Sequence, residues 1–594
     1  MSSMKSFILA ALCAAMLSPA PVQAASEVTA PAGRLVGLEQ DVLGTTVHAF
    51  LGIPFAHPPV GNRRFRRAER LPSWDGVYNA TSYPNTCIQT SNLIPVGGEI
   101  TPQSEDCLYL NVWQPNPVPT GAAVMVWIHP GSFRIGSSSL FNGMYLTAAE
   151  GVIVVTVNYR LGPLGFLCTG TDDAPGNMGL TDQLLALQWV QDNIPSFGGD
   201  SSKVTLFGQS AGARGVGFHL LSPESRNAFS RAILESGTAL LPATIETVSE
   251  ANNRALTFSE SLGCPTDQGT DALLTCLRSQ DAQQFATFTN FNPVAGTGFI
   301  PANPAQAVED GMFKRGDILI GTNRNEFVIF LSYFGIPAFS AGGGSGPPVD
   351  REQFLQAMNA GLEGSLIEGL NDLALEAIEF QYTDWLHPDA DTRYRDILDA
   401  ARADYGYVCP AVATARAHAQ FGANVYMYRF AHRATTSYWP DWVVATHGDE
   451  LQFVFGLPTI PAVGYSTEDA EVSSRMMRYW ANFAKTGNPN NNNNDDDPVW
   501  APFTETDRPY MLLEGSGTRM MTGLKTTKCA LWDIYVPSLM NKTDAQGPMS
   551  SEPVQCQTTT EVVAPAVWGQ SLTLALLFNL IRDVISFVTT FFVL

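Results

Sequence analysis

The segment 208–212 reads Gly-Gln-Ser-Ala-Gly and places Ser210 where a nucleophile is expected. It directly follows the apolar segment 204–207, which predicts a short buried strand. A sharp strand-to-helix turn strains the serine backbone and projects its hydroxyl, and glycine on both sides avoids collisions. The pentapeptide by itself is a weak signal, and its position after a strand makes it stronger. A serine hydroxyl needs a base to take its proton and an acid to orient that base, and such a set performs acyl transfer.

The elements around Ser210 alternate between strands and helices. Segments 122–128 and 152–157 are apolar and predict buried strands. Segment 180–193 has the apolar spacing of an amphipathic helix. This alternation predicts an α/β protein with a mainly parallel sheet.

Two further segments carry a family resemblance. Segment 105–112 reads Glu-Asp-Cys-Leu-Tyr-Leu-Asn-Val, and segment 197–207 reads Phe-Gly-Gly-Asp-Ser-Ser-Lys-Val-Thr-Leu-Phe. With the serine pentapeptide, they closely resemble the signatures of the type-B carboxylesterase family, which includes cholinesterases, several lipases and the non-catalytic neuroligins. The resemblance runs from about Val36 to about Pro537. It implies the α/β-hydrolase fold, a large and mostly parallel central sheet flanked by helices, in a single catalytic domain.

The resemblance also implies the partners of Ser210. The family's acid motif matches Gly-Thr-Asn-Arg-Asn-Glu at 321–326, which makes Glu326 the orienting acid. The histidine motif matches segment 447–456 and makes His447 the general base. Ser236 is expected to support this triad from a second layer. Asp449 and Glu450 compete with Glu326 for the acid role because they are close to His447 in sequence; the resemblance favours Glu326.

An oxyanion hole is expected from three backbone amides, each contributing about 2.7–4 kcal/mol. The resemblance assigns them to Gly131, Ser132 and Ala211. The segment that begins at His129 departs from the family's His-Gly-Gly-Gly, because it reads His-Pro-Gly-Ser-Phe. Pro130 has no N–H group, yet the amides that the family uses follow it, so the three donors are kept. Pro130 and Ser132 both restrict the backbone of this loop, and catalytic efficiency is expected to change.

The resemblance implies three disulfides, Cys87–Cys107, Cys264–Cys276 and Cys409–Cys529. Cys168 is expected to be a buried free thiol, and Cys556 is available to join two subunits.

Substrate choice is where the likeness to cholinesterases weakens. Those enzymes place a tryptophan between the first two cysteines to stack on the choline cation, and this chain has none there. The acid that usually precedes the serine is replaced by Gln209. The phenylalanines of the acyl pocket align loosely with Thr287 and Thr289. We therefore predict a general carboxylic ester hydrolase with a wider acyl pocket, acting on small-molecule esters. No cofactor and no metal site is predicted.

The net charge of the 594 residues is -22, from 34 Lys+Arg and 56 Asp+Glu. Binding to nucleic acid requires the opposite charge, so a nucleic-acid partner is excluded. A content of 45% hydrophobic residues is too high for a disordered chain.

The two ends predict export. Residues 1–24 resemble a signal peptide, with Lys5 before an apolar run and small residues at the cleavage site. The catalytic domain is expected over 25–541, a polar linker over 542–570 and a hydrophobic tail over 571–594. Three interpretations of the tail stay open: a GPI-attachment signal, a retained membrane anchor and an amphipathic oligomerisation helix. Asn79 and Asn541 begin glycosylation sequons, and the expected location is secreted or on the outer cell surface.

Three functions remain in competition. The first is a carboxylic ester hydrolase that works through an acyl-enzyme. The second is the same chemistry specialised on choline or lipid esters. The third is a non-catalytic adhesion protein on the same fold, which is disfavoured because the serine, the acid and the histidine are all present.

Overall fold

A computed structural model describes residues 23–90, 98–241, 245–288, 290–340, 347–360, 369–490 and 497–545. The hydrophobic tail, most of the polar linker, Cys556 and Thr289 lie outside these residues. So does the predicted signal peptide up to residue 22, and the first strand begins at Gln23.

Within the described residues, one sheet of 13 strands forms the centre of the structure. Its strands are β1 Gln23–Ala30, β2 Gly33–Val42, β3 Thr45–Pro54, β4 Val77–Asn79, β7 Tyr109–Asn116, β8 Ala122–Ile128, β9 Ile153–Val157, β12 Gly199–Gln209, β13 Arg231–Glu235, β16 Ile318–Asn323, β17 Val425–Phe430, β18 Pro509–Leu513 and β19 Arg519–Thr522. The short strands outside this sheet are β5 Thr86–Cys87, β6 Gln103–Ser104, β10 Cys168–Thr171, β11 Ala174–Pro175, β14 Glu246–Thr247 and β15 Val294–Ala295.

The order across the sheet is β1-β2-β3-β7-β9-β8-β12-β13-β16-β17-β18-β19, with β4 beside β2. The block from β9 to β18 is parallel. The strands toward both edges pair antiparallel, except that β4 pairs parallel with β2. The mostly parallel sheet predicted from the sequence is confirmed. In such sheets ligand sites form beyond the carboxyl ends of the parallel strands.

Side chains of the central strands alternate between two hydrophobic layers. On β8, Val124, Val126 and Ile128 pack into one layer, whereas Met125 and Trp127 pack into the other. The two-residue period of a strand produces this alternation. Helices cover both layers, so side chains on both faces of the central strands are buried, which explains why these strands are apolar throughout.

Helices cover both faces of the sheet. They are α1 Met144–Glu150, α2 Gly162–Phe166, α3 Met178–Asn193, α4 Ala211–Leu221, α5 Val248–Ser261, α6 Thr270–Ser279, α7 Pro304–Glu309, α8 Val328–Tyr333, α9 Arg351–Asn359, α10 Asp372–Tyr382, α11 Arg393–Ala403, α12 Cys409–Gln420, α13 Leu451–Val454, α14 Thr467–Thr486, α15 Thr526–Ala530 and α16 Val536–Ala545. The helix predicted over 180–193 begins two residues earlier, and the strand predicted over 204–207 is the buried part of the longer β12. Among the described residues, no helix combines the length and the apolar character needed to cross a membrane.

The three predicted disulfides are all present, joining Cys87 to Cys107, Cys264 to Cys276 and Cys409 to Cys529. Cys168 is a buried free thiol, and burial raises its pKa.

Candidate active site

Ser210 lies between the end of β12 and the start of α4. Its backbone has φ 55° and ψ -121°, a strained conformation for a residue with a side chain. The Ser210 amide donates to the Glu235 carbonyl at 2.9 Å, and its carbonyl accepts from the Arg214 amide. The turn is therefore held on both sides by the neighbouring strand and by the helix that follows.

Crowding explains the glycines of this turn. A Cβ atom on Gly212 would lie 2.0 Å from the Ile128 carbonyl oxygen, and one on Gly208 would lie 2.7 Å from the Gly212 carbonyl carbon. A Cβ atom on Gly237 would lie 2.4 Å from the Ser210 carbonyl oxygen. These contacts are with backbone atoms, which cannot give way as a flexible side chain would, so the turn requires glycine.

A hydrogen bond joins Glu326 and His447. Their side chains are joined at 2.6 Å between His447 Nδ1 and Glu326 Oε2. The Glu326 side chain is completely buried and that of His447 is 8% exposed. Glu326 follows β16, and the preceding residue 325 forms an isolated β-bridge with residue 446, which precedes His447.

Ser236 connects the acid to the nucleophile turn. Its hydroxyl donates to Glu326 Oε1 at 2.6 Å, and its amide donates to the Gly321 carbonyl at 2.9 Å. The Asn323 amide donates to the same Glu326 oxygen. Since Ser236 follows Glu235, which binds the Ser210 amide, Ser210, Ser236 and Glu326 lie beyond the carboxyl ends of the adjacent strands β12, β13 and β16.

Two aromatic rings enclose the His447 imidazole. The rings of Tyr407 and Phe330 have centroids 4.7 Å and 5.1 Å from it. Its Nε2 atom is buried and makes no hydrogen bond to another described residue, Ser210 included. Bonds between a nucleophile and its base are often long in enzymes without substrate and tighten on binding.

The two competing acids contact other partners. Asp449 Oδ2 accepts from the Thr446 amide at 2.8 Å, and Glu450 Oε2 accepts from Asn323 Nδ2. Glu326, rather than either neighbour, therefore bonds the imidazole of His447. His129 is buried against Tyr159 with ring centroids 4.2 Å apart, and burial lowers its pKa to about 4. It is a neutral packing residue.

The loop after β8 contains Gly131 and Ser132, whose amides the family resemblance assigns to the oxyanion hole. The Pro130 carbonyl accepts from His129 Nδ1 at 2.9 Å, and the Gly131 carbonyl accepts from the Arg134 and Ile135 amides. In a trans peptide the N–H group points opposite to the carbonyl, so the amides of Gly131 and Ser132 point away from these partners. Ala211 is the first residue of α4, where amides lack a partner within the helix and the helix dipole favours an anion.

Ser132 occupies a conformation that favours glycine. Its φ is 56° and that of Phe133 is 60°, whereas Gly131 has φ 118°. Because Ser132 replaces the glycine of the family motif, its left-handed backbone conformation is strained.

Thr287 is one of the two residues that align loosely with the acyl-pocket phenylalanines. Thr287 is exposed and its hydroxyl donates to the Gln284 carbonyl at 3.0 Å. A small cavity beside it is lined instead by Phe285, Ala286 and Phe288, together with Arg134 of the loop after β8. Thr287 therefore does not widen this cavity.

Three residues near the triad were missed by the sequence reasoning. They are Asn323, Glu235 and Tyr407. Asn323 lies within the acid motif and Glu235 directly precedes Ser236, so their positions in the sequence could have indicated both residues. Tyr407 is brought to His447 by a distant helical segment, and no local pattern indicates it.

Comparison with known proteins agrees with this site. The sequence matches the carboxylesterase family over residues 24–532. It is 40% identical over 538 residues to a cholinesterase of Mus musculus, covering 87% of this chain and 88% of that protein. The chain belongs to the carboxylesterase family and is an enzyme of the carboxylic ester hydrolase class.

Proposed function

We propose that the chain hydrolyses carboxylic esters through an acyl-enzyme formed on Ser210, with His447 as general base and Glu326 as the acid that orients it. The observation that carries this proposal is the 2.6 Å bond between His447 Nδ1 and Glu326 Oε2, beside a serine held in a strained turn. That bond leaves His447 Nε2 as the nitrogen available for proton transfer.

Ser210 Oγ attacks the carbonyl carbon of the ester while its proton moves to His447 Nε2. The carbonyl oxygen becomes an anion and accepts hydrogen bonds from the amides of Gly131, Ser132 and Ala211. Collapse of this intermediate breaks the C–O bond, and the departing alcohol takes the proton from Nε2. Water repeats the cycle on the acyl-enzyme and releases the carboxylic acid.

Glu326 stabilises the imidazolium that forms in each half of this cycle. Its carboxylate receives three hydrogen bonds, from Ser236 Oγ, from the Asn323 amide and from His447 Nδ1. Hydrogen bonds to a charged oxygen favour the charged form. We therefore assign Ser236 the supporting role that the sequence predicts.

The substrates are proposed to be general carboxylic esters without selectivity for choline. Segment 87–107 has no tryptophan to stack on a cation, and the buried Gln209 is neutral. A second candidate is hydrolysis of choline esters, which the identity to a cholinesterase favours. The exposed position of Thr287 removes one argument for a wide acyl pocket.

Export is part of the proposal. Three disulfides suit an oxidising compartment. Asn79 and Asn541 are exposed, as glycosylation requires. We propose a secreted or surface-attached enzyme with its catalytic domain over 25–541, and attachment or assembly through the tail.

The test is a panel of aryl, short-chain, long-chain and choline esters with the purified protein. Ser210→Ala should lower kcat/KM by at least about 10⁴-fold, as loss of a nucleophile does. Ser340→Ala, at an exposed serine, is the matched control and should retain full activity. Equal rates for Ser210→Ala and the unaltered protein would refute the mechanism. A preference for choline esters of more than about 100-fold in kcat/KM would select the second candidate.

A further inference from the structure

Two carboxyl groups lie beneath the triad and are not used by the mechanism. Glu235 ends β13 and Glu450 precedes α13, and both residues are 0% exposed. Each also touches the catalytic set: the Glu235 carbonyl binds the Ser210 amide, and Glu450 accepts from Asn323, whose amide binds Glu326. Glu235 therefore adjoins the nucleophile turn through its backbone, and Glu450 is connected to the catalytic acid through Asn323.

The hydrogen bonds of this pair differ from those of Glu326. Glu235 Oε1 accepts from Trp480 Nε1 at 2.7 Å, and Glu450 Oε2 accepts from Asn323 Nδ2. The other oxygen of each carboxyl group is buried and has no hydrogen-bond partner among the described residues. A buried anion needs donors at both oxygens, as Glu326 has, whereas a carboxylic acid carries its own proton on one of them.

The surroundings of the pair oppose ionisation. Burial raises the pKa of Glu235 to about 8, against a smaller lowering effect of the Trp480 N–H. Burial, followed by the charges of Glu235 and Glu326, raises the pKa of Glu450 well above its usual value. Two further titratable groups lie nearby. Burial and the three carboxyl groups raise the pKa of Tyr428 on β17. Burial, with a smaller effect of the charge of Glu326, raises the pKa of Asp449 to about 7, against the lowering effects of the Thr446 amide and Arg433.

We propose that Glu235 and Glu450 are positioning residues that remain neutral acids beneath the triad. This role rests on the proposed function of the triad. Ionisation of the pair would place a second negative charge beside Glu326 and His447. That charge would draw Asn323, whose side chain bonds Glu450, away from Glu326, and the acid would lose its orientation toward His447, so kcat/KM would fall as the pH rises.

The first experiment measures kcat/KM for an aryl acetate between pH 6 and pH 9.5. The unaltered enzyme should lose about tenfold between pH 7 and pH 9, because a group with a pKa of about 8 is then only about one-tenth protonated. Glu235→Gln keeps the shape of the acid but cannot ionise, so its kcat/KM should change less than about threefold over the same range. Glu450→Gln should reduce the alkaline loss as well.

The matched control is Glu69→Gln, which removes an acid on the exposed surface. It should retain the alkaline loss of the unaltered enzyme. The proposal is overturned if the unaltered enzyme is fully active at pH 9, or if both glutamine variants fold and keep its pH profile. A purely structural role would change stability in these variants and leave the pH profile in place.

The second experiment does not depend on activity. The infrared carbonyl band of a protonated carboxyl group should be present in the unaltered protein at pH 7, weaken above about pH 8 and be reduced in Glu235→Gln. An unchanged spectrum in both variants would contradict the proposal. If a variant does not fold, the unaltered protein alone still tests the proposal, because absence of the band at pH 7 would overturn the proposal. If Ser210→Ala kept its activity, the proposed function would be refuted, whereas the infrared titration of the buried acids would be unaffected.

Discussion

Replacement of Glu326 by glutamine separates the proposed acid from its neighbours. Glutamine has the same shape as glutamate but is uncharged and carries an amide nitrogen in place of one oxygen. The three groups that bond Glu326 are Ser236 Oγ, the Asn323 amide and His447 Nδ1, and all three are used here as donors. Whichever way the new amide turns, its NH₂ group faces a donor.

The magnitude follows from the charge that forms in the transition state. His447 becomes an imidazolium whose Nδ1 lies 2.6 Å from Glu326 Oε2, with both side chains largely shielded from solvent. At an effective dielectric constant of about 20, charge centres about 4 Å apart interact with about 4 kcal/mol. Since about 1.36 kcal/mol corresponds to tenfold in rate, loss of this attraction lowers kcat by about 10³-fold. The mismatched tautomer of His447 raises the expected loss toward about 10⁴-fold.

The assay is kcat and KM for an aryl ester at pH 7.5, with thermal unfolding to confirm that the variant folds. KM should change little, because Glu326 acts through His447 and does not touch substrate. Asp449→Asn is the matched control: Asp449 bonds the Thr446 amide and not the imidazole, so the loss should stay below about tenfold. If Asp449→Asn lost about 10³-fold and Glu326→Gln kept a tenth of the activity, the assignment of the acid would be refuted.

Three further predictions concern strain, cross-links and acid stability. Ser132→Gly should raise the free energy of unfolding by about 0.5 kcal/mol, since relief of a left-handed conformation, about 1–2 kcal/mol, exceeds the entropy cost of glycine. Urea unfolding of this variant and of Ser132→Ala, which keeps the strain, tests the prediction. A glycine variant that is less stable than the unaltered protein would contradict it. Replacing Cys409 and Cys529 by alanine should lower the free energy of unfolding by about 5 kcal/mol, because their bridge spans 120 residues. Urea unfolding measures this change, and a loss under about 1 kcal/mol would contradict the loop-entropy argument. His219 is neutral in the fold because burial lowers its pKa from 6.5 to about 3, so the unfolded chain takes up the proton first and stability falls as the pH drops below about 6.5, by up to about 1.4 kcal/mol per pH unit. His219→Gln should flatten this slope in thermal unfolding between pH 7 and pH 4, and an unchanged slope would exclude His219 as its source.

Local pattern was sufficient to predict the elements that carry Ser210. The segment 122–128 is apolar at every position, and it forms a strand with the predicted limits because both of its faces are buried. The Gly-Gln-Ser-Ala-Gly turn was predictable because close backbone contacts at its glycines leave no alternative residue type. The disulfides followed from the family resemblance rather than from the cysteine positions themselves, since six cysteines allow fifteen pairings.

The sequence by itself therefore determined the class of chemistry, because a strained turn and a buried strand are specified over a few neighbouring residues. The tertiary structure decided what surrounds that chemistry. It selected Glu326 over Asp449, placed Tyr407 against His447, turned Thr287 outward and buried Glu235 with Glu450. These contacts join residues that are distant in the chain, and protonation depends on burial and on charges in space, which no local sequence pattern records.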